Sequence, residues 1–157
     1  MKLVANSILL LLLVGCNSAK VIFEEHRSVG DDMTWKSSEP ITFEIDVQEN
    51  KHPYEMAVAI RYADGFPFNK VPIQMTETSP QGESVRRDLE IMIQPRPGEY
   101  LGEKGFDIID LEQIIDTEKE FPTFGKYTYT LVPVDNDEHG FPLIMEIGLV
   151  LKDKAKH

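Results

Sequence analysis

Cys16 is the residue whose type and position indicate the most specific chemistry in this sequence. It is the only cysteine among 157 residues, and it follows an apolar run that ends in residues 13–15, LVG. These residues together with Cys16 match the bacterial lipobox, in which the cysteine is diacylated and becomes the mature N-terminus. The apolar run is shorter than the roughly 20 residues that span a bilayer, as is typical of a signal peptide. We therefore predict a signal peptide over residues 1–15 and a membrane anchor through acylated Cys16.

The other side chains that could catalyse a reaction or hold a metal do not form a recognisable motif. The four histidines lack the i, i+4 spacing of a zinc-binding helix, and no serine stands in a Gly-x-Ser-x-Gly elbow. The sequence contains enough acidic residues to supply a pair of catalytic carboxylates of the glycosidase kind, but it gives no distance between them. Residues 135–138 (DNDE) could ligate calcium, although a polar hairpin is the favoured interpretation. We expect no enzyme activity, no cofactor and no metal.

Aromatic side chains in two loops are the candidates for binding a partner. Phe66, Phe68 and Asn69 lie in one turn, and Tyr100 lies in the glycine-rich residues 98–105. Loops on a rigid scaffold commonly supply binding residues, and aromatic rings are frequent anchors. If both loops lie at one end of the fold, Phe68 and Tyr100 could anchor one partner. The alternative is that the rings cap the hydrophobic core.

Composition and charge limit the class of protein. Sixteen basic residues against 27 acidic ones give a net charge of −11, which disfavours nucleic-acid binding because phosphate backbones are repelled. A hydrophobic content of 41% with 27% charged residues is ordinary for a folded protein. The length suits one domain, and a single cysteine excludes an internal disulfide.

Alternation of apolar and polar residues predicts an all-β fold. Residues 41–48 alternate without error, as a strand with one buried face does. Similar alternation occurs at residues 54–62, 71–75, 89–94, 127–131 and 143–151. Pro72 suggests an edge position for its strand. Residues 108–116 fit a helical stripe as well as a strand, so both possibilities stay open there.

The spacing of these strands, with short turns between them, predicts one antiparallel β-sandwich, immunoglobulin-like or jelly-roll-like. The predicted organisation is a signal peptide over residues 1–15, a lipidated tether over 16–20 and a β-sandwich domain over 21–157.

Several segments taken together resemble the gliding-motility lipoprotein GldH family. They follow one another over nearly the whole mature chain: the lipobox at 13–16 with FEE at 23–25, Trp35, Tyr54 with Arg61, FPFN at 66–69, YLG at 100–102 with Gly105, FP at 121–122 with Gly125 and Tyr127, and IGL at 147–149. Two positions depart from the family pattern. Phe68 stands where a serine is common, and residues 132–134 (VPV) replace a polar segment.

The resemblance implies a cell-envelope lipoprotein without an assigned enzymatic activity. We expect a structural or assembly component of the gliding machinery with envelope protein partners, anchored in the outer rather than the inner membrane. The alternative is a glycan-binding sandwich lipoprotein that captures polysaccharide.

Overall fold

The computed structural model describes residues 20–48, 53–134 and 139–154, and within these ranges the fold is all-β, as predicted. Among the described residues no helix has the length and apolar character that crossing a membrane requires. The strands are β1 (Lys20–Ser28), β2 (Thr34–Trp35), β3 (Ile41–Val47), β4 (Tyr54–Ala63), β5 (Lys70–Thr78), β6 (Ser84–Met92), β7 (Glu103–Lys104), β8 (Ile108–Lys119), β9 (Gly125–Pro133), β10 (Phe141–Pro142) and β11 (Ile144–Asp153).

Two antiparallel sheets pack face to face as a sandwich. One sheet has the strand order β1-β11-β4-β8-β7, the other has the order β3-β9-β5-β6, and β10 pairs with β2 in a small ribbon. The alternation predicted for β3 is confirmed, because Ile41, Phe43, Ile45 and Val47 are buried while the residues between them are exposed. Apolar residues from both sheets form one continuous core, in which Trp35 is completely buried.

The ambiguous segment 108–116 is strand, and Gln113 explains why its alternation was obscured. Ile109 and Leu111 are buried in the core, and Ile115 packs against it. Gln113 occupies the inward position between Leu111 and Ile115, where an apolar residue would have completed the pattern. Its Oε1 accepts a 2.9 Å hydrogen bond from the Met92 N–H, and its Nε2 donates a 3.0 Å hydrogen bond to the Glu90 carbonyl. The side-chain amide thus satisfies the hydrogen-bonding capacity of two backbone groups of β6, the edge strand of the opposite sheet.

The edge position predicted from Pro72 is wrong, because β5 lies between β9 and β6. The Pro72 carbonyl accepts a hydrogen bond from the Val134 N–H, so the proline nitrogen also faces β9. The paired register of β5 with β9 starts only at Ile73. A proline is tolerated there because its missing N–H falls at the end of the ladder.

Charged side chains join the two sheets along the β6 and β8 side of the sandwich. Arg87 on β6 pairs with Asp116 at 3.2 Å and donates to the Ile115 carbonyl at 3.0 Å. Lys119 on β8 pairs with Glu77 on β5 at 2.7 Å, and these two side chains are only 11% and 18% exposed. On the other side of the sandwich, β1 and β3 are the edge strands.

The sandwich has two ends, which we call the Lys20 end and the distal end. At the Lys20 end, β1 and β4 begin and β3 and β11 finish; at the distal end, β4 finishes and β5 and β8 begin. Lys20 is the first described residue and already pairs with Asp153. The ten residues of β4, at about 3.3 Å each, place the two ends roughly 30 Å apart.

Candidate functional site

The two loops predicted to bind a partner lie together at the distal end. Gln94 joins them, and it is 6% exposed. Its Nε2 donates hydrogen bonds to the carbonyls of Phe66 at 3.1 Å and Phe68 at 3.2 Å, while its Oε1 accepts one from the Gly98 N–H at 2.9 Å. One buried amide therefore holds the turn containing Phe66 and Phe68 against the turn containing Gly98.

Five aromatic rings form a connected cluster at this end. Tyr62 contacts Phe66 with ring centroids 5.7 Å apart and Tyr100 at 6.0 Å. Phe68 contacts Phe66 at 5.7 Å and Phe141 at 5.2 Å. These distances lie within the range of favourable aromatic pairs, so the cluster runs from the core at Tyr62 to the surface at Phe68.

The four predicted partner-binding residues differ in exposure. Phe66 is 1% exposed and belongs to the core, whereas Phe68 is 41% exposed. Asn69 is exposed, and its carbonyl accepts hydrogen bonds from the N–H groups of Ile93 and Gln94. Tyr100 is half-buried, and its hydroxyl donates to the Phe66 carbonyl at 3.3 Å. Phe68 and Asn69 are accessible to a partner, while Phe66 and Tyr100 hold them in place; their role in binding stays a prediction.

Within the cluster, the Tyr62 ring is completely buried in the core. Its hydroxyl donates a 2.6 Å hydrogen bond to the Leu101 carbonyl, which holds the loop of residues 98–105 against the core. Burial raises the pKa of the Tyr62 phenol to about 12, because the phenolate would have to leave water.

A groove on the outer face of the five-stranded sheet begins next to these loops. It has a volume of about 730 Å³, and Leu101 and Gly102 form part of its lining at the distal end. Its floor includes the small side chains of Ala59 on β4 and Val150 on β11. These two residues form a buried cluster with Ala57, at 8%, 2% and 1% exposure.

Gly148 on β11 allows one wall of the groove to approach the floor. A Cβ at this position would meet the His26 ring at 2.7 Å and the Ala59 Cβ at 3.0 Å. The His26 Nε2 and Glu24 Oε1 lie 3.1 Å apart along the same wall. The imidazole therefore fills the space that a side chain at position 148 would need, and any residue larger than glycine there would displace it.

Several charged side chains in and beside the groove form ion pairs. Arg61 donates to Asp110 at 2.7 Å and to Glu146 at 3.1 Å. The hydrogen bond to Asp110 and the charge of Glu146 raise the pKa of the Arg61 guanidinium. Lys152 on β11 pairs across β4 with Glu112 on β8.

Gly102 sets how closely the loop approaches β8. Its φ is +109°, and a Cβ there would lie 2.5 Å from the Asp110 carbonyl oxygen. A left-handed conformation and a backbone contact at this distance both require glycine.

Gln94 and the small-residue floor were missed in the sequence. No motif marks Gln94, because its partners are backbone groups far along the chain. The floor had a signal: Ala57 and Ala59 occupy the alternate positions of β4, between Met56, Val58 and Ile60. An antiparallel strand with one solvated face normally carries polar residues at its outward positions, so alanines there are a departure that could have been noticed.

No group of three or more histidine, cysteine or acidic side chains that could hold a metal occurs in residues 20–48, 53–134 and 139–154. The candidate calcium ligands, residues 135–138, lie outside the described part of the chain, and so does Cys16.

Comparison with solved structures gives a weak match. The crystal structure of dimeric latent PorU from Porphyromonas gingivalis aligns with 90% of this chain at 7% identity and a TM-score of 0.34. The chain spans only 14% of that PorU chain.

Comparison with known sequences gives a match over most of the chain. The gliding motility lipoprotein GldH of Flavobacterium johnsoniae is 28% identical over 130 residues, which cover 81% of this chain and 79% of the relative. The sequence profile of the GldH lipoprotein family matches residues 21–151, from β1 to the last strand. The resemblance seen in the sequence is thereby confirmed: the chain belongs to the GldH lipoprotein family.

Proposed function

We propose that this protein is a non-enzymatic structural or assembly component of the gliding-motility machinery, held in the cell envelope by the lipid on Cys16. The observation that carries the proposal is the family match over residues 21–151, together with a relative that is named a gliding motility lipoprotein. The outer membrane is the proposed location.

The architecture supports an anchor at one end and recognition at the other. Cys16 precedes Lys20 by four residues, so the attachment point of the lipid lies at most about 14 Å from the Lys20 end. The distal loops lie roughly 30 Å away along the strands. A partner that meets Phe68 and Asn69 would approach from the side opposite to the membrane.

The distal end is suited to binding because its exposed residues rest on a rigid base. Phe68 contacts two rings, and the Gln94 amide holds its carbonyl. A side chain that is already ordered loses little entropy when a partner covers it. We propose an envelope protein as the partner, with Phe68 as its central contact.

The proposal is tested by purifying the full-length protein from crosslinked, intact cells and comparing it with Cys16→Ala. We expect the wild-type protein to incorporate a lipid probe, to fractionate with membranes and to co-purify with defined envelope proteins, and the variant to lose the probe and the membrane association. Unchanged probe labelling of Cys16→Ala would contradict the anchor. Retention on a polysaccharide affinity gel without a protein partner would favour the glycan-binding alternative.

A further inference from the structure

A pocket opens at the Lys20 end between β1 and β3, the edge strands of the two sheets. Its volume is about 390 Å³, and its apolar wall is formed by Ile22, Ile45, Val47, Tyr54, Phe121 and Leu151. The polar residues at its rim are Lys20, Asp46, Gln48 and Asp153. A mainly apolar pocket of this size suits an apolar ligand with a polar head.

The irregular start of β1 shapes this pocket. The register of β1 against β11 shifts between Val21 and Phe23, so Ile22 is the extra residue of a bulge. Phe23 packs against the core, whereas Ile22 is 47% exposed. The exposed Ile22 side chain therefore stands at the mouth of the pocket as part of its apolar wall.

The predicted anchor lies immediately upstream of this mouth. Cys16 is separated from the rim residue Lys20 by four peptide units, a distance of at most about 14 Å. The opposite side of the sandwich is joined by Gln113, Arg87 and their partners on β6 and β8. The β1 and β3 side is thus both the side that opens into a pocket and the side on which the predicted tether enters.

Further exposed apolar side chains surround the Lys20 end. Val21 is 45% exposed and Phe124, in the turn that precedes β9, is 64% exposed. Exposed apolar groups clustered at one end of a domain mark an interaction surface. Next to a lipid anchor, the surface they fit is the acyl region of a bilayer.

We propose that the pocket between β1 and β3 holds one fatty-acyl chain carried by Cys16, while the remaining chain or chains stay in the bilayer. This inference rests on the lipidation of Cys16 in the proposed function. A chain bound in the pocket fixes the Lys20 end against the membrane, because the tether can then no longer extend freely. The distal end would in consequence point away from the membrane in one orientation.

The test uses full-length protein whose lipid contains a photoreactive diazirine fatty acid, purified and placed in phosphatidylethanolamine and phosphatidylglycerol vesicles. After illumination, mass spectrometry maps the crosslinked peptides. We expect crosslinks to pocket residues such as Ile22, Val47 or Tyr54. Crosslinks to vesicle lipids alone would overturn the proposal.

Two variants sharpen the result. Ile22→Trp fills the mouth of the pocket, and we expect loss of the pocket crosslinks. Phe106→Trp is the matched control, since Phe106 is 98% exposed at the distal end, and it should retain them. Pocket crosslinks that persist in Ile22→Trp would contradict the proposal, and the wild-type crosslink map decides the question even if that variant folds poorly. Absence of the fatty acid from Cys16 would instead overturn the lipid anchor itself, which separates the two failures.

Discussion

The side-chain amide of Gln94 donates a 3.1 Å hydrogen bond to the backbone carbonyl of Phe66, inside the distal end of the sandwich. The same amide reaches Phe68 and Gly98, so one buried polar group unites two loops that are 30 residues apart in sequence at Phe68 and Gly98. Buried polar groups with all their partners in place specify a unique local structure. The position of Phe68 at the surface depends on this amide.

Gln94→Leu tests that dependence. The leucine keeps most of the side-chain volume. It removes the N–H group that donates to the Phe68 carbonyl and the oxygen that accepts from the Gly98 N–H. We expect a loss of about 1–3 kcal/mol in the free energy of unfolding, measured by denaturant titration. Gln74→Leu is the control, because the bond from Gln74 to Asp88 is long, at 3.5 Å, and exposed. Equal losses in the two variants would show that the amide of Gln94 has no special role.

Phe66 and Phe68 should separate stability from binding. Phe66→Ala removes a completely buried ring and should cost about 3–5 kcal/mol of stability. Phe68→Ser removes a ring that is 41% exposed, so we expect a loss of about 1 kcal/mol and a loss of partner crosslinking. Thermal melting and crosslinking of both variants check this. If Phe68→Ser lowers the melting temperature as far as Phe66→Ala, the Phe68 ring is a cap of the core.

The Lys119–Glu77 pair should couple the two sheets. Because both side chains are largely buried, removing one partner leaves a poorly solvated charge, and Lys119→Met should cost about 2–4 kcal/mol. The double variant Lys119→Met with Glu77→Gln should recover part of that loss. A double-mutant cycle measures the coupling. The control cycle at the exposed Lys126–Glu44 pair should show none, and a similar coupling in both would contradict the interpretation.

The burial of Tyr62 predicts that the free energy of unfolding decreases in alkali. Its pKa is raised to about 12 by burial, while the unfolded chain releases the phenol proton near pH 10. The folded state therefore binds more protons between about pH 10 and 12, and the free energy of unfolding falls as the pH rises through this window, by about 2–3 kcal/mol in total. Burial raises the pKa of Tyr129 as well, so part of the slope should remain in Tyr62→Phe. Denaturant titrations at several pH values check this; an unchanged slope in Tyr62→Phe would contradict it.

The fold could be predicted wherever inward positions were uniformly apolar. β3 shows this, because every second residue from Ile41 to Val47 is buried. β8 could not be assigned because Gln113 faces inward and binds the backbone of β6, a contact that depends on the opposite sheet. Pro72 misled for a similar reason, since its strand is interior and only the end of its ladder with β9 leaves room for proline.

The two loops of the candidate site could be predicted from the sequence, whereas the buried residues that hold them could not. Aromatic and glycine residues are visible in the sequence, so the segments containing Phe68 and Tyr100 stood out. Gln94 did not, because a buried amide is recognised only by the backbone groups that three-dimensional packing brings to it. The alanines at 57 and 59 are visible in the sequence, but the groove above Ala59 exists only because β11 and β1 bring Gly148 and His26 beside it.

The most direct test of the account is site-specific photocrosslinking in intact cells with a photoreactive amino acid at position 68. We expect a discrete adduct with an envelope protein from position 68. We expect no such adduct from position 85 at the start of β6, where Val85 is 61% exposed. Absence of an adduct from position 68, or the same adduct from both positions, would contradict recognition through the distal end.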